Sequence, residues 1–342
     1  MNVQSILQAI RALDVLVIGD LCLDRWCYYD PSASEPSRET GIPRTAVVRT
    51  ENTPGAAGTI CNNLVALGAR NVSVLSVVGQ DGFGSELLQA LQHRGIEGNL
   101  LVQSPSVPTF TYTKLINRQT GIEDLGRIDF ILNSPLPPPV EATILRALPA
   151  AFERFKVILV SDQAETESGG VITAAVRAEI VSLAKLHQNS VVWVDSRVRP
   201  ELFRHVVLKP NHLEAEAACT RLYGIPNYHR LVRQNELRAL IVTRGESGAD
   251  VYQDGRFNRI ETRRVSAVDI CGAGDSFSAG GACALAVTGS ALQAAEFEIS
   301  LPQSRSPNPV PAPPPRRKCW KRLTYENACH RHWRNQIHDG RL

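Results

Sequence analysis

Four times in its second half the chain repeats one pattern: a short apolar run, a polar residue, then a stretch with helical spacing. Residues 157–161 lead into Asp162, 191–194 into Asp195, 206–208 into Lys-Pro-Asn, and 240–243 into Arg-Gly. Short apolar runs without alternation are strands buried on both faces, so helices must cover both sides of the sheet. Parallel neighbours need crossovers, and crossovers are right-handed, so the strand ends gather on one rim. That rim collects Asp162, Asp195, Asn211, Glu214, Thr243 and Gly245. It is the edge at which open α/β sheets bind ligands. The fold class expected is therefore a three-layer α/β/α sandwich around a mostly parallel sheet. Residues 251–252 and 257–260, around Asp254 and Gly255, read as a hairpin.

Residues 268–280, VDICGAGDSFSAG, supply the chemistry. Gly272, Ala273 and Gly274 run straight into Asp275, and a small, apolar helix follows. Glycines let successive N–H groups turn the same way. The helix start adds unpaired N–H donors and the positive end of a dipole. Together they make an anion cradle with Asp275 at its lip. A carboxylate beside a phosphate is unfavourable unless it has work to do, such as taking a proton from an attacking hydroxyl. A Gly-rich turn with Asp as helix cap is the plainer alternative, and one short Gly motif is a weak signal. The convergence of polar strand ends on the same rim favours the cradle.

The first half is less regular. Residues 15–19 read as a buried strand, with Asp20 and Asp24 at and just beyond its end. Asp24 is the better candidate for ligand hydroxyls, and Asp20 reads equally well as a turn residue. Residues 54–69, PGAAGTICNNLVALGA, open a helix on small residues, with Gly55, Asn62 and Asn63 near its start. Residues 72–78 form a further strand. Residues 109–117 alternate, meet a turn at RQTG, and continue into EDLGRIDFIL. That hairpin lies outside the βαβ rhythm and implies a small β-lid, from about residues 25–52 and 109–132. It carries Arg127 and Asp129 within reach of a ligand, and Lys114 as a solvated charge.

At 342 residues the chain can bury a large core. A formal charge of +3 excludes a strongly basic nucleic-acid binder. Eight scattered cysteines without a C-x-x-C pair suit a reduced, cytoplasmic protein rather than a zinc or disulfide scaffold. The apolar run at 15–19 is far too short for a signal or membrane segment. No G-x-G-x-x-G follows it, which argues against dinucleotide binding.

Taken jointly, GD–LD, PGAAGT–NN–LGA, VGQDGFG–GI, KPN–E, VTRG–SGA and DICGAGDSFSAG resemble the ribokinase-like (PfkB) carbohydrate kinases from about residue 15 to about 295. GDLCLDRW and EPSRETGIPRTAV are similar to the branch containing heptose-phosphate kinases. The resemblance implies a ribokinase-like fold and transfer of the ATP γ-phosphoryl group to a hydroxyl of a sugar or sugar phosphate. It implies Asp275 as base, with Gly272, Ala273 and Gly274 as anion hole. Thr243, Gly245 and Gly248 match the nucleotide loop. Asn211 and Glu214 match residues that organise Mg²⁺ and phosphates, Glu214 being the metal residue. Asp24, Gly55, Asn62, Arg127 and Asp129 fall on the sugar side. ATP and Mg²⁺ are the implied cofactors, a monovalent cation an optional third, and a homodimer through the β-lid the implied assembly. The sequence departs from the family at Ala56, where a second Gly is usual, and at Thr59, where Asn is common. It reads SDQAETESGG where heptose-phosphate kinases carry a Tyr and a Lys, and DSR at 195–197 where they carry Asp-Pro-Lys. Two rivals stay open: a catalytically weak sugar- or nucleotide-binding protein, and a nucleoside kinase of the same fold.

From about residue 299 the character breaks. Residues 299–342 hold seven of 21 prolines and nine Lys or Arg against Glu326 and Asp339, a net +7 in a chain of +3. The segment has neither helical nor strand periodicity and reads as disordered or polyproline-like. Residues 1–298 are thus the expected kinase domain. The tail has three readings: an acidic-partner or nucleic-acid arm, a neutral extension, or a shift of reading frame near Glu298. The third is preferred, because the break falls inside an expected helix rather than at a linker.

Overall fold

A computed structural model describes residues 2–164, 166, 168–262 and 272–301. The Pro/Arg-rich tail from residue 302 onward and residues 268–271 of the glycine motif lie outside the described residues. In chain order the strands are β1 (Asp14–Gly19), β2 (Leu21–Tyr29), β3 (Val47–Ala56), β4 (Asn71–Leu75), β5 (Val77–Gly79), β6 (Ile96–Glu97), β7 (Val102–Ser104) and β8 (Thr111–Asn117). There follow β9 (Ile128–Phe130), β10 (Val157–Asp162), β11 (Val191–Ser196), β12 (Val207–Leu208), β13 (Ala239–Thr243), β14 (Ala249–Gln253) and β15 (Arg256–Ile260). The helices are α1 (Val3–Ile10), α2 (Ala57–Ala66), α3 (Gly82–His93), α4 (Pro138–Arg154), α5 (Ala174–Leu186), α6 (His212–Tyr223), α7 (Tyr228–Gln234), α8 (Ala273–Thr288) and α9 (Ala291–Ser300).

Among the described residues nine strands form the main sheet, ordered β15-β14-β13-β12-β11-β10-β1-β4-β6. Every pair from β13 to β6 is parallel, and β14 and β15 append as an antiparallel hairpin. That hairpin turns at Asp254 and Gly255, both at positive φ, as a two-residue primed turn requires. Successive strand residues face opposite layers. Val15 and Val17 join the core under α1, α2, α3, α8 and α9. Leu16 and Ile18 join the core under α4, α5, α6 and α7. Each fully buried Leu, Ile, Val or Phe contributes about 1.5–3 kcal/mol, so both layers are well anchored. Crossovers run outward from β1 to β4 on one side and from β10 to β11 on the other. The strand order therefore reverses between β1 and β10, which opens a crevice at their carboxyl ends.

A second sheet, β3-β2-β8-β9, is the lid. It begins one residue after β1, so Asp20 is the joint at which the chain changes sheets. The predicted hairpin is present, with Tyr112 opposite Asp129, but residues 118–127 separate its arms in place of a tight turn. The strand expected at 72–78 is broken at Ser76, whose hydroxyl donates to the Gly19 carbonyl at 2.6 Å. Beyond the break β5 leaves the main sheet and pairs with β7. No helix among the described residues is long and apolar enough to cross a membrane.

Candidate active site

The helix α8 starts at Gly272, whose φ of 84° is left-handed. A side chain there would be strained, so glycine is needed to aim the chain into the helix. No described side chain caps this start. The N–H groups of the first turn are thus open donors at the positive end of the dipole. Asp275 is the third residue of α8 and is half-buried. Burial, reinforced by the negative charge of Asp195, pushes its carboxyl up to about 7, while Lys209 and Arg197 oppose the rise and Asp24 adds to it.

Across the rim lies a compact charged cluster. Register sets it: Val194 of β11 is level with Leu208 of β12, so the next residues, Asp195 and Lys209, emerge side by side. Lys209 Nζ donates to Asp195 at 2.8 Å, both side chains being nearly inaccessible. Ser278 of α8 donates to the same carboxylate oxygen at 2.9 Å. Lys209 thereby ties β11, β12 and α8 together, and its ammonium reaches beneath Gly274. The Lys209 ammonium is held above its ordinary range: burial opposes the charge, but Asp195, Glu214 and Asp275 outweigh it. Glu214 belongs to the same field; burial raises its carboxyl, and a hydrogen bond from the Asn211 amide limits the rise.

The lid brings Asp24. It sits level with Thr53 of β3 and Tyr112 of β8, and Tyr112 is level with Asp129 of β9. Side chains paired this way share a face. The bare backbone of Gly55 lies against the Asp24 carboxylate, at a spacing that a Cβ would violate. Burial pushes the Asp24 carboxyl up to about 6, against the pull of Lys114, Cys22 and Arg127. Cys22 donates to Asp24 at 3.8 Å. Arg127 pairs with Asp129 at 2.6 Å and stacks over the Tyr112 ring at 4.6 Å. Lys114, read from sequence as solvated, lies in the Asp24 field instead.

Other expected site residues have visible structural duties. Asn211 and Glu214 form a reciprocal cap on α6, with bonds of 2.9 and 2.8 Å. That leaves one Glu214 oxygen outside the cap. Asn211 bridges to Thr243, which joins the two on the rim. Gly245 and Gly248 both take positive φ in the turn after β13. The Asn62 amide donates to the Pro54 carbonyl at 3.2 Å, so it holds the β3–α2 junction. At that junction Ala56 has φ 52°, the position where the family usually has glycine. Asp20 is fully interior and accepts from the Gln163 and Val171 amides at 2.8 and 2.6 Å; burial raises its carboxyl to about 6. Asp162 is spent on Arg199 at 2.8 Å. Sequence reasoning passed over Lys209 and Ser278. The signal for Lys209 was a lysine ending a strand buried on both faces, where only an acid partner makes it tolerable.

This is the architecture of small-molecule kinases of the α/β class: an acid at an open helix start, a charged rim at the switch point, and a lid carrying a second acid. The sequence matches the pfkB family carbohydrate kinase over residues 12–297, and the chain belongs to that family. It is 35% identical over 298 residues to the bifunctional protein HldE of Geobacter sulfurreducens, covering 85% of this chain and 57% of the relative. It is 33% identical over 286 residues to the protein of that name in Geobacter metallireducens, covering 80% and 56%. The chain therefore spans little more than half the length of these relatives. The kinship agrees with the heptose-phosphate kinase branch that the N-terminal half resembles. Among solved structures, ribokinase from Thermotoga maritima is similar at a TM-score of 0.60 and 19% identity, covering 84% of this chain and 90% of that one. Escherichia coli phosphofructokinase-2 is similar at 0.62 and 15%, covering 84% and 92%. Arabidopsis thaliana ribokinase, complexed with ribose and ATP, is similar at 0.58 and 16%, covering 84% and 90%. At these identities the likeness is one of fold: a ribokinase-like α/β sandwich with a lid.

Proposed function

We propose that the chain transfers the γ-phosphoryl group of ATP to a hydroxyl of a sugar or sugar phosphate, with Asp275 as the base. The observation that carries this reading is the uncapped start of α8, with Asp275 in its first turn and the buried Lys209–Asp195 pair beneath Gly274. Asp24 accepts from the acceptor's hydroxyls, Asp275 takes the proton of the attacking one, and the amides of residues 272–274 hold the phosphoryl oxygens. A base whose pKa lies near neutrality suits that task. Phosphoryl transfer needs positioning and charge neutralisation more than covalent help. Lys209 and Arg197 supply fixed positive charge beside the base. Thr243, Gly245 and Gly248 form the nucleotide loop. Asn62, Arg127 and Asp129 complete the sugar side, and the cations Lys114 and Arg127 beside Asp24 favour an acceptor that already bears a phosphate.

The described residues contain no group of three or more His, Cys, Asp or Glu side chains arranged for a metal ion. That fits Mg²⁺, which keeps several waters and takes one or two carboxylates together with substrate phosphates. Glu214 is the residue assigned to it. The ion, when bound, neutralises phosphate charge. The reading places the enzyme in the cytoplasm, with residues 1–298 as its catalytic domain.

The test is ADP release with Mg·ATP across a panel of sugars, sugar phosphates and nucleosides. Asp275→Asn should lower turnover by roughly 10²–10⁴-fold while leaving the acceptor's thermal stabilisation in place. Silence across the panel with intact ligand binding leaves a binding protein; turnover of adenosine or guanosine alone leaves a nucleoside kinase.

A further inference from the structure

At the opposite end of the main sheet, α7 and the β14–β15 turn frame an open cavity of about 710 Å³. Its position follows from topology. Arg238 immediately precedes β13, whereas Thr243 ends that strand on the active-site rim. Five strand residues at about 3.3 Å each separate the two ends. The cavity therefore shares no wall with the cluster around Asp275.

Four guanidinium groups line it: Arg230, Arg233, Arg238 and Arg256. None forms an ion pair with a carboxylate among the described residues. Arg238 is half-buried and spends one N–H on the Ser190 carbonyl. Arg230 lies over the Tyr223 ring at 4.3 Å, which fixes its plane without neutralising it. Two acids share the lining, so four positive charges face two negative ones. Glu236 is turned to His205 at 3.6 Å, and Asp254 is exposed in the hairpin turn. Some exposed arginines elsewhere are paired, as Arg221 is with Glu201 and Arg259 with Asp250; what sets these four apart is that they line one concavity. Four unpaired forks around one concavity repel each other unless an anion joins them. A guanidinium fork matches phosphate oxygens in bidentate geometry.

We propose that this cavity is a second anion site, taking a small ligand that carries two linked phosphate groups. One phosphate brings at most about two negative charges, enough to meet the forks of one wall only. Two linked phosphates span forks from both walls, Arg230 and Arg233 on α7 and Arg256 on the hairpin. Arg238 closes the floor.

The probe is inorganic pyrophosphate, titrated calorimetrically into the full chain without a metal ion. Three proteins are compared: the native chain, Arg233→Glu with Arg256→Glu, and Asp275→Asn with Lys209→Met. Both cavity residues are exposed and unpaired, so their exchange leaves the fold intact, as a melting curve verifies. The expected result is a binding event weakened at least tenfold in the cavity variant and retained in the rim variant. Orthophosphate should bind the native chain at least tenfold more weakly than pyrophosphate. The proposal is overturned if the native chain binds no pyrophosphate. It is equally overturned if the cavity variant binds as the native chain does, if only the rim variant loses binding, or if orthophosphate binds as tightly.

Discussion

Asp275 is a carboxyl that its surroundings keep partly protonated near neutrality, and the proposed role as base needs it ionised. With its pKa at about 7, kcat/KM should fall as pH drops through that value. Asp24, itself pushed up to about 6, shares its field, so the acid limb reports the two together rather than one group. A flat profile from about pH 6 to 8 would remove Asp275 as the base. The linkage has a definite sign. A carboxyl raised above its unfolded value contributes stability below about pH 4, and that contribution is lost as pH rises through about 7. Asp275→Asn should therefore raise the melting temperature more at about pH 8 than at about pH 5. Ala56 offers a second residue-scale test. Its φ of 52° with ψ of −115° is a conformation natural to glycine, and such strain costs of order 1–3 kcal/mol. Ala56→Gly should raise stability by about 1 kcal/mol in a denaturant titration; a loss of that size would show that the strain is absent. The sequence reveals the departure at Ala56 but not its cost, because the cost depends on a backbone angle. It reveals Asp275, Asp24 and Gly55 as well, since motif and strand end speak locally. Lys209 is harder to read, because its meaning lies in the register of β12 against β11.

At the scale of elements, α8 and α9 pack through a stretch of Ala and Gly, where helices approach closely. Into that contact α9 sends Glu298, against the bare backbone at Gly280. The side chain is half-buried, and its Oε1, closed off from solvent, has no hydrogen-bond partner among the described residues. Burial alone drives its carboxyl well above the ordinary range. The Cys283 thiol faces it and is pushed up to about 12, mainly by its own burial, so it offers no countercharge. A raised carboxyl stabilises the fold below about pH 4.5 and costs stability at every higher pH through its folded value. Glu298→Met should raise the melting temperature, more at about pH 8 than at about pH 5, and by about 1–3 kcal/mol overall. Destabilisation, or a gain independent of pH, would mean that the carboxyl has a partner. Glu298 is also where the sequence reading places a shift of frame. A glutamate forced into an apolar helix contact is what a change of frame would leave at its boundary. A coding strand without a family-like helix in its other frames would remove that explanation and leave the burial prediction standing.

For the whole molecule, the main sheet was legible where a strand carries its own apolar run and polar end, as β1, β10, β11, β12 and β13 do, whereas the two-residue edge strand β6 carries no such signal. The lid was legible only as a hairpin. Its order depends on β2 pairing in parallel with β8, Asp24 beside Tyr112, and no local signal reports a pairing across so many residues. The lid also concentrates exposed apolar side chains: Ile42, Val47, Val48, Leu125, Ile128, Phe130 and Ile131 are all at least 40% exposed. Large apolar groups gathered on one element mark an association surface, and its edge strands β3 and β9 offer unpaired backbone groups besides. We propose that a second copy of the chain covers this surface, making the protein a homodimer through its lids. Sedimentation equilibrium of the native chain should then give twice the chain mass, and Val48→Asp with Ile128→Asp should give the monomer. Both side chains are about half exposed, at 53% and 52%, so the exchange leaves the core untouched and the melting temperature of the main domain nearly unchanged. Because Asp24 and Arg127 ride on the lid, the monomer should also show a raised KM for the acceptor with little change in KM for ATP. A native chain that sediments as a monomer, or a double variant that stays dimeric, would place the contact elsewhere; equal changes in both KM values would separate the lid from acceptor binding.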